Sequence, residues 1–136
     1  MKDNKDLLLE NAFAVQKNAY APYSHYHVGA SFLCKDGTIF NGANIENASF
    51  GATACAEQNA IRAAYSAGYR QDDIIACAIV TDGPILAGPC GICRQVLSEL
   101  MHSDVPIYLS NGKEEKTTNM NELMPLQFGK KDLEHV

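Results

Sequence analysis

The chain has 136 residues, 46% of them apolar and 20% charged, the balance of a soluble globular protein with one core and no room for a second, so a single domain over residues 1–136 is expected. Apolar runs such as residues 74–80 fall far short of the roughly 20 residues that a membrane-spanning helix needs, and the charged start Met1-Lys2-Asp3-Asn4-Lys5-Asp6 leads into no apolar signal core, so no membrane partner and a cytoplasmic location are expected. Sixteen acids against 11 bases give a net charge of −5 without a basic cluster, which argues against a nucleic acid polymer as partner.

Leu8, Ala12 and Val15 recur at helical spacing and predict a first helix over residues 5–17. Tyr20-Ala21-Pro22-Tyr23-Ser24 is turn chemistry. Residues 28–33 and 38–43 then flank Asp36-Gly37, the signal of a tight antiparallel hairpin. The alanine-rich stretch 53–67, with Thr53 as a cap and Gly68 past its end, predicts the second helix. Residues 73–80 form a continuous apolar, partly β-branched run, which suits a central strand covered on both faces. Pro89 opens a third helix reaching Met101, and residues 105–109 read as another buried strand. After the Asn111-Gly112 turn come an edge strand over 114–117 and short helices over 120–124 and 130–134. Helices alternating with strands predict an α/β fold of three α-β-α layers around a mixed sheet of about five strands.

Five cysteines, two of them in a Cys-x-x-Cys step, favour metal or redox chemistry over a disulfide framework. Cys55 stands near the start of the second predicted helix, and Cys90 and Cys93 at the start of the third. Unpaired amides and the positive end of the helix dipole there are expected to lower each thiol's pKa and make thiolates available as ligands. Three protein ligands leave the fourth position of tetrahedral Zn2+ open to water, the arrangement of a catalytic site. Glu57, two residues after Cys55, is placed to take a proton from that water. Three thiolates donate more charge than three imidazoles, so the metal acidifies water less and the carboxylate supplies the remaining activation.

A Cys- or His-led x-Glu step followed by Pro-Cys-x-x-Cys is the pattern of zinc nucleobase deaminases. Here the two halves, Cys55-Ala56-Glu57 and Pro89-Cys90-Gly91-Ile92-Cys93, stand 35 residues apart with a predicted strand between them. Taken alone, Cys90 and Cys93 equally suit half of a structural zinc knuckle or a redox pair, and Cys55 suits a small core residue. Cys34 and Cys77 fall in predicted strands and are read as core. His102 lies about 13 Å of helix rise beyond Cys93, at the wrong end for a ligand. His25 and His27 flank the first strand and read as surface residues, with His25 near enough to the cleft to stay open as a ligand.

The chain resembles the small, homotetrameric type of cytidine deaminase over most of its length. The likeness rests on Tyr20-Ala-Pro-Tyr-Ser24 followed by Val28-Gly29-Ala30, then Asn44-Ile-Glu46-Asn47-Ala48, Cys55-Ala-Glu57, Pro89-Cys-Gly-Ile-Cys93-Arg94-Gln95, and a tail with Glu122-Leu-Met-Pro125 and Phe128-Gly129. The resemblance implies one zinc per subunit on Cys55, Cys90 and Cys93, with Glu57 catalytic. It implies that Asn44 and Glu46 hold ribose hydroxyls, that Tyr26 packs on the pyrimidine where relatives usually have Phe, and that the backbone of Ala56 meets the base. It also implies that Phe128 reaches a neighbouring subunit's pocket within a homotetramer. Two positions depart from the family pattern. Phe50 replaces a common Tyr, and Gln58 replaces an Arg that follows the catalytic Glu in three-cysteine relatives, which leaves Arg94 as the cation expected to offset the thiolate charge.

The expected reaction is hydrolytic deamination of cytidine or deoxycytidine to uridine or deoxyuridine with release of ammonia, as in pyrimidine salvage. Blasticidin S deaminases share the cysteine and Glu motifs, so a larger cytosine nucleoside is the nearest rival substrate. A structural zinc or redox module without catalysis is the rival from another class. Editing of RNA or DNA is a third, disfavoured by the acidic balance.

Overall fold

The structure, a computed structural model, describes residues 3–134. Helix α1 spans Asn4–Gln16, with Asp3 as its cap accepting from the Asp6 amide at 2.8 Å. Strands β1 (Val28–Cys34) and β2 (Ile39–Ala43) form the expected hairpin, turning through Gly37 at φ +93°, where a side chain would be strained. Helix α2 (Ala56–Ser66), strand β3 (Ile74–Thr81), helix α3 (Gly91–Leu100), strands β4 (Ile107–Ser110) and β5 (Glu115–Thr118), and the one-turn helix α4 (Met120–Leu123) follow. A 3-10 turn at Lys130–Asp132 stands where a short helix over 130–134 is predicted.

The five strands lie in the order β2-β1-β3-β4-β5. Only β3 and β4 run parallel, and α3 makes the crossover between them. Along β3 the side chains alternate between two cores. Ala76, Ala78 and Val80 pack with Leu8, Leu9 and Ala12 of α1, whereas Cys77 and Ile79 pack with Ala60, Ile61 and Leu97 of α2 and α3 and with Met120 of α4. The sheet is therefore covered on both faces, which is why residues 76–80 are buried without a polar break. The expected three layers and mixed five-stranded sheet are present.

Element boundaries shift in ways that matter for the site. The cap of α2 falls two residues later than predicted: Cys55 holds the N-cap position, and Thr53 Oγ1 instead accepts from the Asn47 amide at 3.1 Å. Likewise Cys90, rather than Pro89, directly precedes the first residue of α3. Residues 105 and 106 remain outside β4, whose first residue is Ile107. Helix α2 lies directly against the backbone of β2 at Gly42, where a Cβ would stand 2.5 Å from the Ala60 nitrogen and 2.6 Å from the Ala56 carbonyl oxygen. The Asn59 side chain ties the same turn to β2 by donating to the Ala43 carbonyl at 2.8 Å. No helix of the described residues is long and apolar enough to cross a membrane.

Candidate active site

Three chain segments meet at the helix-start end of the sheet. Tyr20 donates its amide to the Asn44 carbonyl at 2.9 Å and its carbonyl accepts from Glu46 at 2.8 Å, while Ile45 and Ala54 exchange two amide bonds of 2.9 Å. These bonds bring the 20–26 turn, the 44–46 step and the run into α2 together around a cleft of about 300 Å3. Its lining includes Tyr26, Asn44, Glu46, Ala56, Glu57 and Cys90.

At one end of the cleft the Sγ atoms of Cys55, Cys90 and Cys93 all lie within 4.8 Å of one another. Tetrahedral zinc with Zn–S bonds of about 2.3 Å would hold its sulfurs about 3.8 Å apart, so the set fits that metal with a small contraction. Cys55 and Cys90 are the N-caps of α2 and α3, with neither side chain used in capping. Cys55 and Cys93 share one proton, which drives their pKa values in opposite directions. The Cys55 value drops to about 7, chiefly because the Cys93 thiol donates to its sulfur; burial opposes the drop, and the Cys90 thiol and the Arg62 guanidinium reinforce it. Cys93 is pushed far up by holding that shared proton and by its own burial. Cys34, pushed up to about 11 by burial, and fully buried Cys77 are ordinary core thiols.

Glu57 is 4% exposed, and burial raises the pKa of its carboxyl. Its first-turn position on α2 sets it beside the thiol cluster and on the cleft wall. Ala56, fully buried, opens the helix, where an amide has no partner within the helix. Gln58 donates from Nε2 to Cys93 Sγ at 3.5 Å. Arg94 is engaged elsewhere: it donates from Nε to the Pro89 carbonyl at 2.7 Å and from Nη1 to the Leu123 carbonyl at 2.8 Å. The amide of Gln58, and not the Arg94 guanidinium, thus donates to a sulfur of the cluster, while Arg94 fastens the Pro89 loop to α4.

At the other end, Asn44 is 8% exposed and spans the base of the 26–28 segment, accepting from the Val28 amide at 2.9 Å and donating to the Tyr26 carbonyl at 2.8 Å. The Glu46 carboxylate accepts from the amides of Tyr23 at 2.9 Å and Ser24 at 3.1 Å and from the Ser24 hydroxyl. That hydroxyl, foremost, and the two amides hold the Glu46 pKa below the usual carboxylate range against a smaller effect of burial. The Tyr26 ring packs over Gly83, where a Cβ would come within 2.9 Å of its Cε1.

Phe128 lies away from this cleft, 57% exposed, with its carbonyl accepting from Gln95 Nε2 at 3.1 Å. His25 is exposed, His27 pairs with Asp82 at 2.6 Å, and His102 pairs with Asp72 at 2.5 Å, so none of them joins the thiol cluster. Ser24, Thr53, Thr81 and Gly88, none of them marked as a site residue by a sequence motif, also stand on the cleft wall. Ser24 had a signal in the 20–24 turn, whereas Thr81 and Gly88 come to the cleft only through the sheet and the loop after it.

Residues 2–109 match the family described as "Cytidine and deoxycytidylate deaminase zinc-binding region". The chain is 44% identical over 132 residues to a cytidine deaminase of Halalkalibacterium halodurans, covering 96% of this chain and 98% of that one. It is 41% identical over 134 residues to a cytidine deaminase of Sporosarcina psychrophila, covering 98% and 96% respectively. Among solved structures, the cytidine deaminase from Burkholderia pseudomallei superposes with a TM-score of 0.88 at 39% identity, covering 94% of this chain and 100% of that one. The chain belongs to the cytidine and deoxycytidylate deaminase family. Zinc is the metal that the matched region and the three-thiol cluster call for.

Proposed function

We propose that the protein deaminates cytidine and deoxycytidine hydrolytically, yielding uridine or deoxyuridine and ammonia. The observation that carries this reading is the buried Glu57 carboxyl sharing one cleft with Cys55 and Cys90, whose sulfurs cluster with that of Cys93 behind them. When bound there, zinc supplies a Lewis acid that makes water a better nucleophile near neutral pH.

The protein's own groups do the rest. Tyr26 packs on the pyrimidine, the Ala56 amide holds the base, and Asn44 and Glu46 receive the sugar hydroxyls. Glu57 takes a proton from the attacking water and delivers it to ring N3 as the oxygen bonds to C4. It then carries the remaining hydroxyl proton to the exocyclic amine, the C4–N bond breaks, and ammonia leaves a carbonyl at C4. Burial suits Glu57 to this exchange because it brings the carboxyl's proton affinity closer to that of the groups it serves.

One catalytic domain spans the chain, and the active form is a cytoplasmic homotetramer serving pyrimidine salvage. Exposed Phe50, Ile92 and Phe128 support assembly, since such side chains gain by burial against a neighbour, and Phe128 enters the cleft of an adjacent subunit. A free nucleoside, rather than a polynucleotide, suits the confined cleft and acidic surface.

The test is absorbance during incubation of zinc-loaded protein with cytidine, deoxycytidine, cytosine and blasticidin S, with Glu57→Gln as control. Loss of the cytidine chromophore in wild type, slowed by about 100-fold or more in the variant, is the expected result. No change with any substrate in protein shown to hold zinc would favour a structural metal site instead.

A further inference from the structure

Among the described residues, Thr81 Oγ1 is the buried side-chain polar atom without a hydrogen-bond partner. Thr81 ends β3, is 5% exposed, and belongs to the wall of the cleft. The other buried polar side chains with amide groups there are served: Asn44 bonds to Tyr26 and Val28, and Gln58 to Cys93. The rest of the β3 wall is apolar, with Ile79 two residues earlier on the same face.

Valine has nearly the shape of threonine, is as well suited to a strand, and would remove the orphan oxygen. A hydroxyl at this place is therefore a cost to the ligand-free protein. It becomes useful when something in the cleft bonds to it. Oγ1 is buried as it stands, so the contact requires a turn to another χ1 well, which exchanges the hydroxyl with a methyl of similar size. Thr81 is the cross-strand partner of Val28, another cleft residue, and Gly83 two residues on supports the Tyr26 ring. Thr81 thus stands on the Tyr26 and Val28 side of the cleft, the side that grips the nucleoside in the reading above.

We propose that Thr81 is a substrate-contacting residue whose hydroxyl bonds the nucleoside held in this cleft. The inference rests on the nucleoside reading above. The hydroxyl binds and takes no part in proton transfer, so its removal acts on KM and not on kcat.

The experiment compares wild type, Thr81→Val and Thr81→Ser as zinc-loaded proteins, by cytidine kinetics and by melting temperature with and without uridine. In Thr81→Val the ligand-free melting temperature is expected to stay level or rise, KM to increase about fivefold to tenfold with kcat within about twofold, and the uridine-induced shift to shrink. Thr81→Ser keeps the hydroxyl and is expected within about twofold of wild type in KM. Wild-type KM and uridine shift in Thr81→Val would overturn the proposal, as would a fall in its ligand-free melting temperature, which would mark the hydroxyl as structural. The uridine shift reads nucleoside binding without turnover. Thr81 is therefore tested even if wild type leaves cytidine intact, the separate result that would overturn the deaminase reading.

Discussion

Gln58 Nε2 stands 3.5 Å from Cys93 Sγ, within the reach of an N–H···S hydrogen bond. A thiolate that accepts such a bond carries less charge to the metal and keeps its orientation. A formal −1 for zinc with three thiolates makes that relief valuable, and here it comes from a neutral amide one residue after Glu57. Replacing Gln58 with Leu keeps the volume and removes the donor. Zinc affinity is expected to fall about tenfold or more, read by competition with a chromogenic chelator, with the melting temperature of the zinc-loaded form falling alongside. Unchanged zinc retention would mean that the bond contributes nothing to the ligand set.

Asn44 joins two backbone groups of the segment that carries Tyr26, the Val28 amide and the Tyr26 carbonyl. Asn44→Ala leaves both without that partner and is expected to cost about 1–3 kcal/mol in stability, with a rise in KM because Tyr26 is no longer fixed. Asn44→Asp keeps an acceptor for Val28 but sets a carboxylate against the Tyr26 carbonyl, so it should restore little. Chemical denaturation of the two variants measures this, and an Asn44→Ala protein as stable as wild type would show that water serves both groups equally well.

The Glu46 carboxylate draws the 23–24 turn onto the cleft and is held below its ordinary value of 4.5, foremost by the Ser24 hydroxyl. A carboxyl whose folded pKa is depressed contributes stability that is present above the unfolded value and lost as pH falls through the folded one. Wild type is therefore expected to exceed Glu46→Gln in melting temperature near pH 7. The gap should close as pH falls below about 4.5, where the wild-type carboxyl also becomes neutral. A gap that stays constant down to pH 3 would show that charge on Glu46 is not what holds the turn.

Much of this site was legible in the sequence because its chemistry is concentrated in short, spaced runs. Cys55-Ala56-Glu57 and Pro89 to Cys93 each sit within one helix start, so local pattern alone brought the ligands and the carboxyl to the right ends of α2 and α3. The hairpin followed from Asp36-Gly37 and the buried strand β3 from its unbroken apolar run. What escaped depended on contacts distant in the chain. Arg94 was the obvious cation by sequence, yet the Leu123 carbonyl, 29 residues on, claims it and leaves Cys93 to Gln58. Thr53 had the residue type of a helix cap, but its hydroxyl answers the Asn47 amide and the cap position falls to Cys55. Thr81 gave no local signal, since a threonine ending an apolar strand reads as a strand residue until the cleft forms over it.

Gly42 joins the fold to the site through the absence of a side chain. It lies in β2 beneath the first turns of α2, and the backbone atoms its Cβ would meet, the Ala60 nitrogen and Ala56 oxygen, belong to the helix whose start bears Cys55, Ala56 and Glu57. Backbone cannot rotate aside as a side chain can, so relief in Gly42→Ala requires α2 to move off the sheet. Such overpacking typically costs about 1–3 kcal/mol. A shift of even about 1 Å at a catalytic carboxyl is enough to lower turnover about 100-fold. The expected variant is thus less stable, poorer in zinc because Cys55 has moved from Cys90 and Cys93, and slower than its loss of stability alone would make it when assayed well below its melting temperature. Melting temperature, zinc content and kcat of the folded fraction separate these effects. A Gly42→Ala enzyme with full zinc content and wild-type kcat would mean that α2 can be displaced without carrying its first turn along.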